Sequence, residues 1–228
     1  MNKIGIEYVK FPNGKEYNLI PEENTIWKSG IEFPAEVEEK TLFVTGLSGT
    51  GKSTLVSKLS EGKERMYSGQ VFLPFPKLKS PAVKRVEGVD NLADLSKLGL
   101  IDGHFIFEIP KVKDIPFFAH EDSVCDADYC SLNVGKRLRF PNELKRNFIF
   151  EIRQPSARVI NDNRKRRYEE QISKGIPSGS RHSYFPRTDE ETQKGIYLYY
   201  QAAHQLYKKG VSVYIRTSLD GKPLRFAE

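Results

Sequence analysis

Four residues at a fixed spacing carry the clearest chemical signal in the chain. Gly46, Gly51, Lys52 and Ser53 satisfy G-x-x-x-x-G-K-[ST], a glycine-rich loop whose backbone N–H groups hold the phosphates of a nucleoside triphosphate. Lys52 would act catalytically by reaching the β and γ phosphates, and the Ser53 hydroxyl would ligate Mg²⁺. We therefore expect a nucleotide site that uses ATP and Mg²⁺ as cofactors.

The residues around this pattern predict a strand, a turn and a helix. Leu42–Val44 form a short apolar run typical of a buried parallel strand, and Leu55, Val56 and Leu59 recur at helical spacing. The N–H groups of the loop and of the helix N-terminus would then point at the phosphates. The predicted nucleotide-binding residues are Gly46, Ser48, Gly49, Thr50, Gly51, Lys52, Ser53 and Thr54.

Composition excludes several other classes of protein. The 228 residues contain no apolar run of 18 or more, and the first twenty lack the apolar core of a signal peptide. Cys125 and Cys130 are the only cysteines, too few for a disulfide scaffold or a four-cysteine zinc site. We expect a cytoplasmic protein with no membrane partner.

The order of the predicted elements indicates the fold class. Strand-like segments alternate with helical ones, which predicts an α/β, P-loop NTPase three-layer fold with a mostly parallel central sheet. Asn13-Gly14 is a strong turn signal, so the start of the chain should form a small β-hairpin appendage. We expect residues 1–40 to be that appendage and residues 41–228 to be the kinase domain.

The net charge of +6 is concentrated in one segment after the last internal strand. Its cations are Arg158, Arg164, Lys165, Arg166, Arg167, Lys174, Arg181 and Arg187. Phosphoryl transfer needs neutralisation of the equatorial oxygens and exclusion of water, which a mobile lid that bears arginines supplies. We expect a lid over about residues 158–187. A solvated basic helix face would give the same charge pattern.

Two stretches together resemble the guanylate-kinase-like branch of the nucleoside monophosphate kinases. "GLSGTGKSTL" matches the loop of that family, and Pro155 and Ser156 in "FIFEIRQPSARVINDNRKRR" match the end of its late strand. The resemblance implies transfer of the ATP γ-phosphate to a nucleoside monophosphate. It also implies a lid helix in which Arg167 stands where a catalytic arginine is expected and Arg164 is one residue out of register.

The acceptor segment departs from the family pattern. "KLKSPAVKRVEGVDNL" lacks the Thr-Thr-Arg and the Tyr with which guanylate kinases bind their acceptor. Lys84 and Arg85 could still hold an acceptor phosphate together with Arg181, although a plain surface loop would show the same residues. A small phosphorylated acceptor, namely a nucleoside or deoxynucleoside monophosphate, is the expected partner.

Three aspartates are candidates for the catalytic carboxylate. Asp102 ends an apolar stretch and could lie at the carboxyl edge of the sheet, where ligands bind in α/β proteins. Asp126 and Asp128 occupy a similar position in "VCDADY", and strand alternation would put both on one face. Asp102, or an aspartate of the Asp126 and Asp128 pair, could orient metal-bound water or take the proton of an acceptor hydroxyl.

Two other functions fit the same residues. The chain could phosphorylate a hydroxyl of DNA or RNA, with Tyr168, Tyr184 and Phe185 among the cations forming a strand-binding groove. It could also be an ATPase or switch protein that transfers nothing, which would use the loop alone.

Overall fold

The computed structural model describes residues 5–59, 67–72, 78–79, 100–112, 115–120, 142–176 and 185–227, with backbone only at 67–72, 78–79, 101–112, 115–120 and 142–144. The strands are β1 (Glu7–Lys10), β2 (Glu16–Pro21), β3 (Thr25–Lys28), β4 (Ile31–Pro34), β5 (Thr41–Thr45), β6 (Tyr67–Phe72), β7 (Leu78–Lys79), β8 (Leu100–Val112), β9 (Ile115–His120), β10 (Phe148–Arg153), β11 (Ser212–Arg216) and β12 (Leu224–Phe226). The helices are α1 (Lys52–Leu59), α2 (Asn142–Asn147), α3 (Ala157–Ser173) and α4 (Asp189–Lys208), and a 3₁₀ helix spans Ala35–Glu38.

One sheet contains ten of these strands, in the order β1-β2-β12-β11-β10-β5-β8-β6-β7, with β9 paired to β8. The neighbours β11, β10, β5, β8 and β6 pair in parallel. The register sets Ile152 beside both Thr45 and Ile215. The carboxyl ends of β5, β10 and β11 therefore meet at one edge of the sheet.

The predicted fold class is wrong, because the sheet is mixed and antiparallel pairs outnumber parallel ones among the described strands. Antiparallel pairing joins β1 to β2, β2 to β12, β12 to β11, β9 to β8 and β7 to β6. Several of these strands follow one another through connections such as 11–15, 113–114 and 217–223. A parallel crossover needs a dozen or more residues, so connections this short return the chain antiparallel.

The N-terminal hairpin forms as predicted but is not an appendage, since β2 pairs with β12 inside the main sheet. Its apolar side chains Phe11, Tyr17 and Leu19 are buried in the same core as α4. Phe11 meets Tyr197 and Tyr200 edge-to-face, with ring centroids 5.0 and 5.5 Å apart. The first residues of the chain therefore share their core with the last helix.

The two faces of the sheet are covered differently. α3 and α4 cover one face, where Ile160, Ile196 and the helix α4 aromatics pack on Phe43 and Phe150. The other face carries α1 together with the separate two-stranded sheet β3–β4. This face is thus covered partly by a helix and partly by a small sheet, whereas the expected three-layer fold has helices on both faces of the central sheet.

In "DEETQKGIYLYYQAAHQLYKKG", the sequence predicts a helix with Asp189 or Thr188 as its cap and Gly210 as its stop, and helix α4 has these ends. Thr188 and Glu191 form a reciprocal capping box at its start, and Gly210 follows its end with φ +78°. No described helix is long and apolar enough to cross a membrane.

Candidate functional site

The glycine-rich loop leaves the buried strand β5 and enters α1. Gly46, Gly49 and Gly51 have φ of +140°, +93° and +86°, which residues with a Cβ rarely adopt. A Cβ on Gly46 would lie 2.4 Å from the carbonyl oxygen of Arg153, at the end of β10. The glycines are therefore required both by backbone conformation and by the close approach of the neighbouring strand.

Lys52 lies over this loop. Its Nζ donates to the carbonyl oxygens of Gly46 and Leu47 at 2.7 and 2.9 Å, and 8% of the residue is exposed. Ser53 and Thr54 in the same turn of α1 are exposed. The first turn of α1 thus carries one ammonium group, two hydroxyl side chains and the N–H groups of a helix start, a set suited to phosphate.

Helix α3 supports the loop from behind. Asn163 Nδ2 donates to the Gly49 carbonyl at 3.0 Å, and Arg164 Nε donates to the Ser48 carbonyl at 2.7 Å. Ser156 caps this helix by accepting from the Val159 N–H. Because three residues separate the end of β10 from the start of α3, the second turn of α3 falls on the loop, and side chains of α3 fix the loop's carbonyls.

The structure separates the two arginines expected in the lid. Arg164 is fully buried against the loop, whereas Arg167, three positions further along α3, is half-buried. Asn161 donates to Asp189 and accepts from Thr192, which ties α3 to α4. The part of the predicted lid that α3 forms is therefore anchored, and Arg164 contacts the loop backbone.

A cleft of about 470 Å³ adjoins the loop. Thr50, Gly51 and Thr54 line one side, and the segment Thr217–Leu219 after β11 lines another, with Val159 of α3 between them. This volume lies within the usual size range of small-ligand pockets. The cleft continues from the N-terminal end of α1, so a ligand held there by its phosphates has room for a nucleoside.

Of the described residues that line the cleft, Arg153 is the one that carries a charge. Its side chain is buried, and Nη1 donates to the Ser218 carbonyl at 2.8 Å. Burial lowers the pKa of Arg153 to about 10, with the charge of Arg216 lowering it further and the charges of Glu151 and Asp220 opposing the shift. The group therefore stays a cation at neutral pH.

A buried ion pair holds the far wall of the cleft. Arg216 bonds both carboxylate oxygens of Glu151, and neither side chain is exposed. The same guanidinium donates to the carbonyls of Gly221 and Glu32 and lies 4.8 Å from the Phe33 ring centroid. Arg216 thus joins β10, the segment after β11 and the β3–β4 sheet.

The donors available for a metal are hard oxygens. The exposed Ser53 hydroxyl in the first turn of α1 is a ligand type that Mg²⁺ accepts beside phosphate oxygens and water. Within the described ranges, no three His, Cys, Asp or Glu side chains are grouped closely enough to hold a metal ion. The residues present therefore fit a nucleotide-borne Mg²⁺ that Ser53 would help to hold.

Several predicted site residues cannot be compared with the structure. Asp102 stands beside Val44 of β5 in the sheet register, and only its backbone is described. The remaining candidates, namely Lys84, Arg85, Asp126, Asp128, Arg181 and Tyr184, lie outside the described residues. These positions stay predictions.

Sequence reasoning did not select Arg153 or Asn163. The sequence carries a signal for Arg153, because the residue ends an apolar, strand-like run two positions before Pro155. Its place beside the loop follows from the pairing of β10 with β5 in the structure. For Asn163 the helical pattern alone does not say which side of α3 faces the loop. Both residues become candidates through the structure.

Comparison with known proteins gives no neighbour from which a role could be taken. No family model, no curated protein and no solved structure matches the chain. The functional argument therefore depends on the residues of this chain.

Proposed function

We propose that this protein is an ATP- and Mg²⁺-dependent phosphotransferase that moves the γ-phosphate to a small acceptor, a nucleoside or deoxynucleoside monophosphate. The observation that carries the proposal is the arrangement of Lys52 over the glycine-rich loop at the start of α1, beside a cleft large enough for a nucleoside. Backbone N–H groups and a lysine in this arrangement bind a triphosphate.

The chain's own residues would divide the work of transfer. Loop N–H groups would hold the phosphate chain, and Lys52 would move from its loop carbonyls to the phosphate oxygens and stabilise charge there. Ser53 would help hold Mg²⁺, which supplies neutralisation of the phosphate oxygens when bound. Asn163 and Arg164 would keep the loop carbonyls turned away from the ligand.

Transfer, rather than hydrolysis alone, is favoured by the cationic segment that follows α3's start. Arg167 is half-buried on α3, and further cations follow it in the sequence. We assign the acceptor phosphate to Lys84, Arg85 and Arg181 and the catalytic carboxylate to Asp102 or Asp126. These assignments, the resemblance to nucleoside monophosphate kinases and the cytoplasmic location remain predictions.

The test is a transfer assay with γ-labelled ATP, Mg²⁺ and a panel of ribo- and deoxyribonucleoside monophosphates. We expect label in one or a few diphosphate products and a loss of at least about a hundredfold in Lys52→Ala, since Lys52 acts on the developing charge. Lys58→Ala, which alters an exposed lysine at the other end of α1, is the matched control and should retain activity. Free phosphate as the sole product with every acceptor would contradict transfer.

A kinase that acts on DNA or RNA is the second candidate, and one contact favours it. Phe185 is 58% exposed and meets Tyr168 edge-to-face with ring centroids 5.7 Å apart, beside the exposed cations Lys165 and Arg166. An exposed aromatic ring among cations is a stacking platform for bases.

Single-stranded and duplex DNA belong in the same assay, with Phe185→Ala as the variant. If the acceptor is a strand, Phe185→Ala should weaken strand binding, and affinity should fall steeply with salt because counterions are displaced. Label in monophosphates alone, with no effect of Phe185→Ala, would exclude this candidate.

A further inference from the structure

Arg153 carries a buried charge that has no ion-pair partner among the described residues, although the charges of Glu151 and Asp220 favour it from further away. The residue is 5% exposed, its Nε has no hydrogen-bond partner, and no described carboxylate lies at ion-pair distance. Glu151 on the same strand is bonded to Arg216 instead. Buried charges in proteins are normally paired, because moving an ion from water into the protein interior costs on the order of several kcal/mol.

The contact that Arg153 makes does not require a cation. Nη1 donates to the Ser218 carbonyl, which uses one of the five N–H donors of a guanidinium. A neutral amide donor could hold the same carbonyl without the cost of a buried charge. The positive charge itself is therefore left for an anion.

The position of the guanidinium says which anion. Nη2 lies 3.9 Å from the point that a Cβ on Gly51 would occupy, at the α1 end of the loop. Lys52 Nζ lies at the other end, on the carbonyls of Gly46 and Leu47. In such loops the lysine reaches the β and γ phosphates, while the backbone N–H groups of the loop hold the α and β phosphates.

We propose that Arg153 binds the α-phosphate of the donor nucleotide, an inference that rests on the proposed function. Two cations then bracket the phosphate chain, Lys52 at the γ end and Arg153 at the nucleoside end. Arg153 also fixes the Thr217–Leu219 wall through Ser218, so the phosphate contact and the wall of the nucleoside cleft depend on one side chain.

The first experiment measures affinity for Mg-ATP and for Mg-tripolyphosphate. Arg153→Gln, which keeps an N–H donor for Ser218 and removes the charge, should weaken both by about tenfold, the size of a charge-assisted hydrogen bond. Arg146→Gln changes an exposed arginine near the opposite end of the same strand and should leave both unchanged. Unchanged binding of both ligands to Arg153→Gln would overturn the proposal, and so would a loss for ATP alone, which would assign Arg153 to the nucleoside.

A second measurement separates contact from a structural effect. The two diastereomers of ATP carrying sulfur on the α-phosphate should differ in affinity for the wild-type protein, and Arg153→Lys should change their affinity ratio by about fivefold. The ratio for the diastereomers with sulfur on the β-phosphate should stay constant. Equal changes at both phosphates would mean that Arg153 only shapes the loop.

Failure of the proposed function gives a different result from failure of this inference. A wild-type protein that binds neither ATP nor tripolyphosphate would refute the nucleotide site itself. Wild-type binding that depends on Lys52 but not on Arg153 would refute the α-phosphate contact alone. A melting temperature for each variant identifies any loss of binding that follows from unfolding.

Discussion

Arg164 and Ser48 lie 116 positions apart in the chain, and Arg164 Nε donates to the Ser48 carbonyl oxygen over 2.7 Å. The aliphatic part of the Arg164 side chain packs against Gly49, since a Cβ on Gly49 would lie 2.9 Å from Arg164 Cγ. The helix that follows β10 therefore acts as a fixed backing for the loop that follows β5. The shape of the phosphate loop depends on a residue that the sequence suggested for a lid.

Replacement of Arg164 tests this backing. Arg164→Met should lower the affinity for Mg-ATP by about tenfold and destabilise the fold by about 1–3 kcal/mol, because the buried Ser48 carbonyl loses a charged donor. Calorimetric titration and urea unfolding measure the two effects. Arg166→Met alters an exposed neighbour on the same helix and should change stability by less than about 0.5 kcal/mol. Similar results for the two variants would contradict the backing role.

Two glycines with positive φ separate crowding from backbone strain. Gly49→Ala would bring a Cβ within 2.8 Å of the Ile160 carbonyl oxygen, whereas Gly14→Ala, with φ +79° against +93°, would meet nothing within 4 Å. We expect Gly14→Ala to cost about 1 kcal/mol from backbone strain alone. Gly49→Ala should cost more in urea unfolding and also weaken ATP binding. Equal costs would mean that the loop moves away from α3 freely.

The Glu151–Arg216 pair should show strong energetic coupling. Removing one partner leaves a buried charge alone, so Glu151→Met should destabilise the protein by about 3–5 kcal/mol. The double variant Glu151→Met/Arg216→Met should lose less than the sum of the single losses, although the carbonyls of Gly221 and Glu32 still lose their donor. Additive losses in a double-mutant cycle would show that the two charges act independently.

His204 should make stability depend on pH. Burial lowers its pKa below the ordinary 6.5, and the charges of Lys208 and Lys15 lower it further, while the Tyr17 and Phe226 rings pack against it. The unfolded chain then binds the proton more readily than the folded chain, so stability is full above pH 6.5 and falls as the pH drops below that value. Urea unfolding at pH 7.5 and pH 5.5 measures the loss, and His204→Gln should reduce it. If His204→Gln loses as much stability between pH 7.5 and pH 5.5 as the wild-type protein, other groups cause the loss.

Sequence patterns predicted the elements whose form is set locally. The strand and helix around the loop, the hairpin at Asn13-Gly14 and the capped helix Asp189–Lys208 all form. Each carries its own signal in glycine placement, apolar spacing or capping residues. The apolar residues of "GQVFLPF" also predict a strand, and the structure has one at Tyr67–Phe72.

Features set by distant pairing could not be predicted in this way. Strand Leu224–Phe226 has three residues, too few for a pattern, and exists because Ile20 and Ile215 flank it on neighbouring strands. Helical spacing likewise did not reveal that Arg164 is buried. Arginines are mostly exposed in proteins, so a segment rich in arginine is expected to lie at the surface. The error in sheet direction and the unpredicted burial of Arg164 have this same origin.

The pairing of β2 with β12 has a consequence for synthesis on the ribosome. Strand β2 leaves the ribosome early, but its neighbour Leu224–Phe226 is translated roughly 10–40 s later at the usual rates of about 5–20 residues per second. In that interval the nascent hairpin has neither its strand partner nor the aromatic face of α4 to cover Tyr17 and Leu19. Emergence of Leu224–Phe226, rather than emergence of the loop and its helix, should therefore be the moment at which this sheet closes, and holdase chaperones should bind the nascent chain until then.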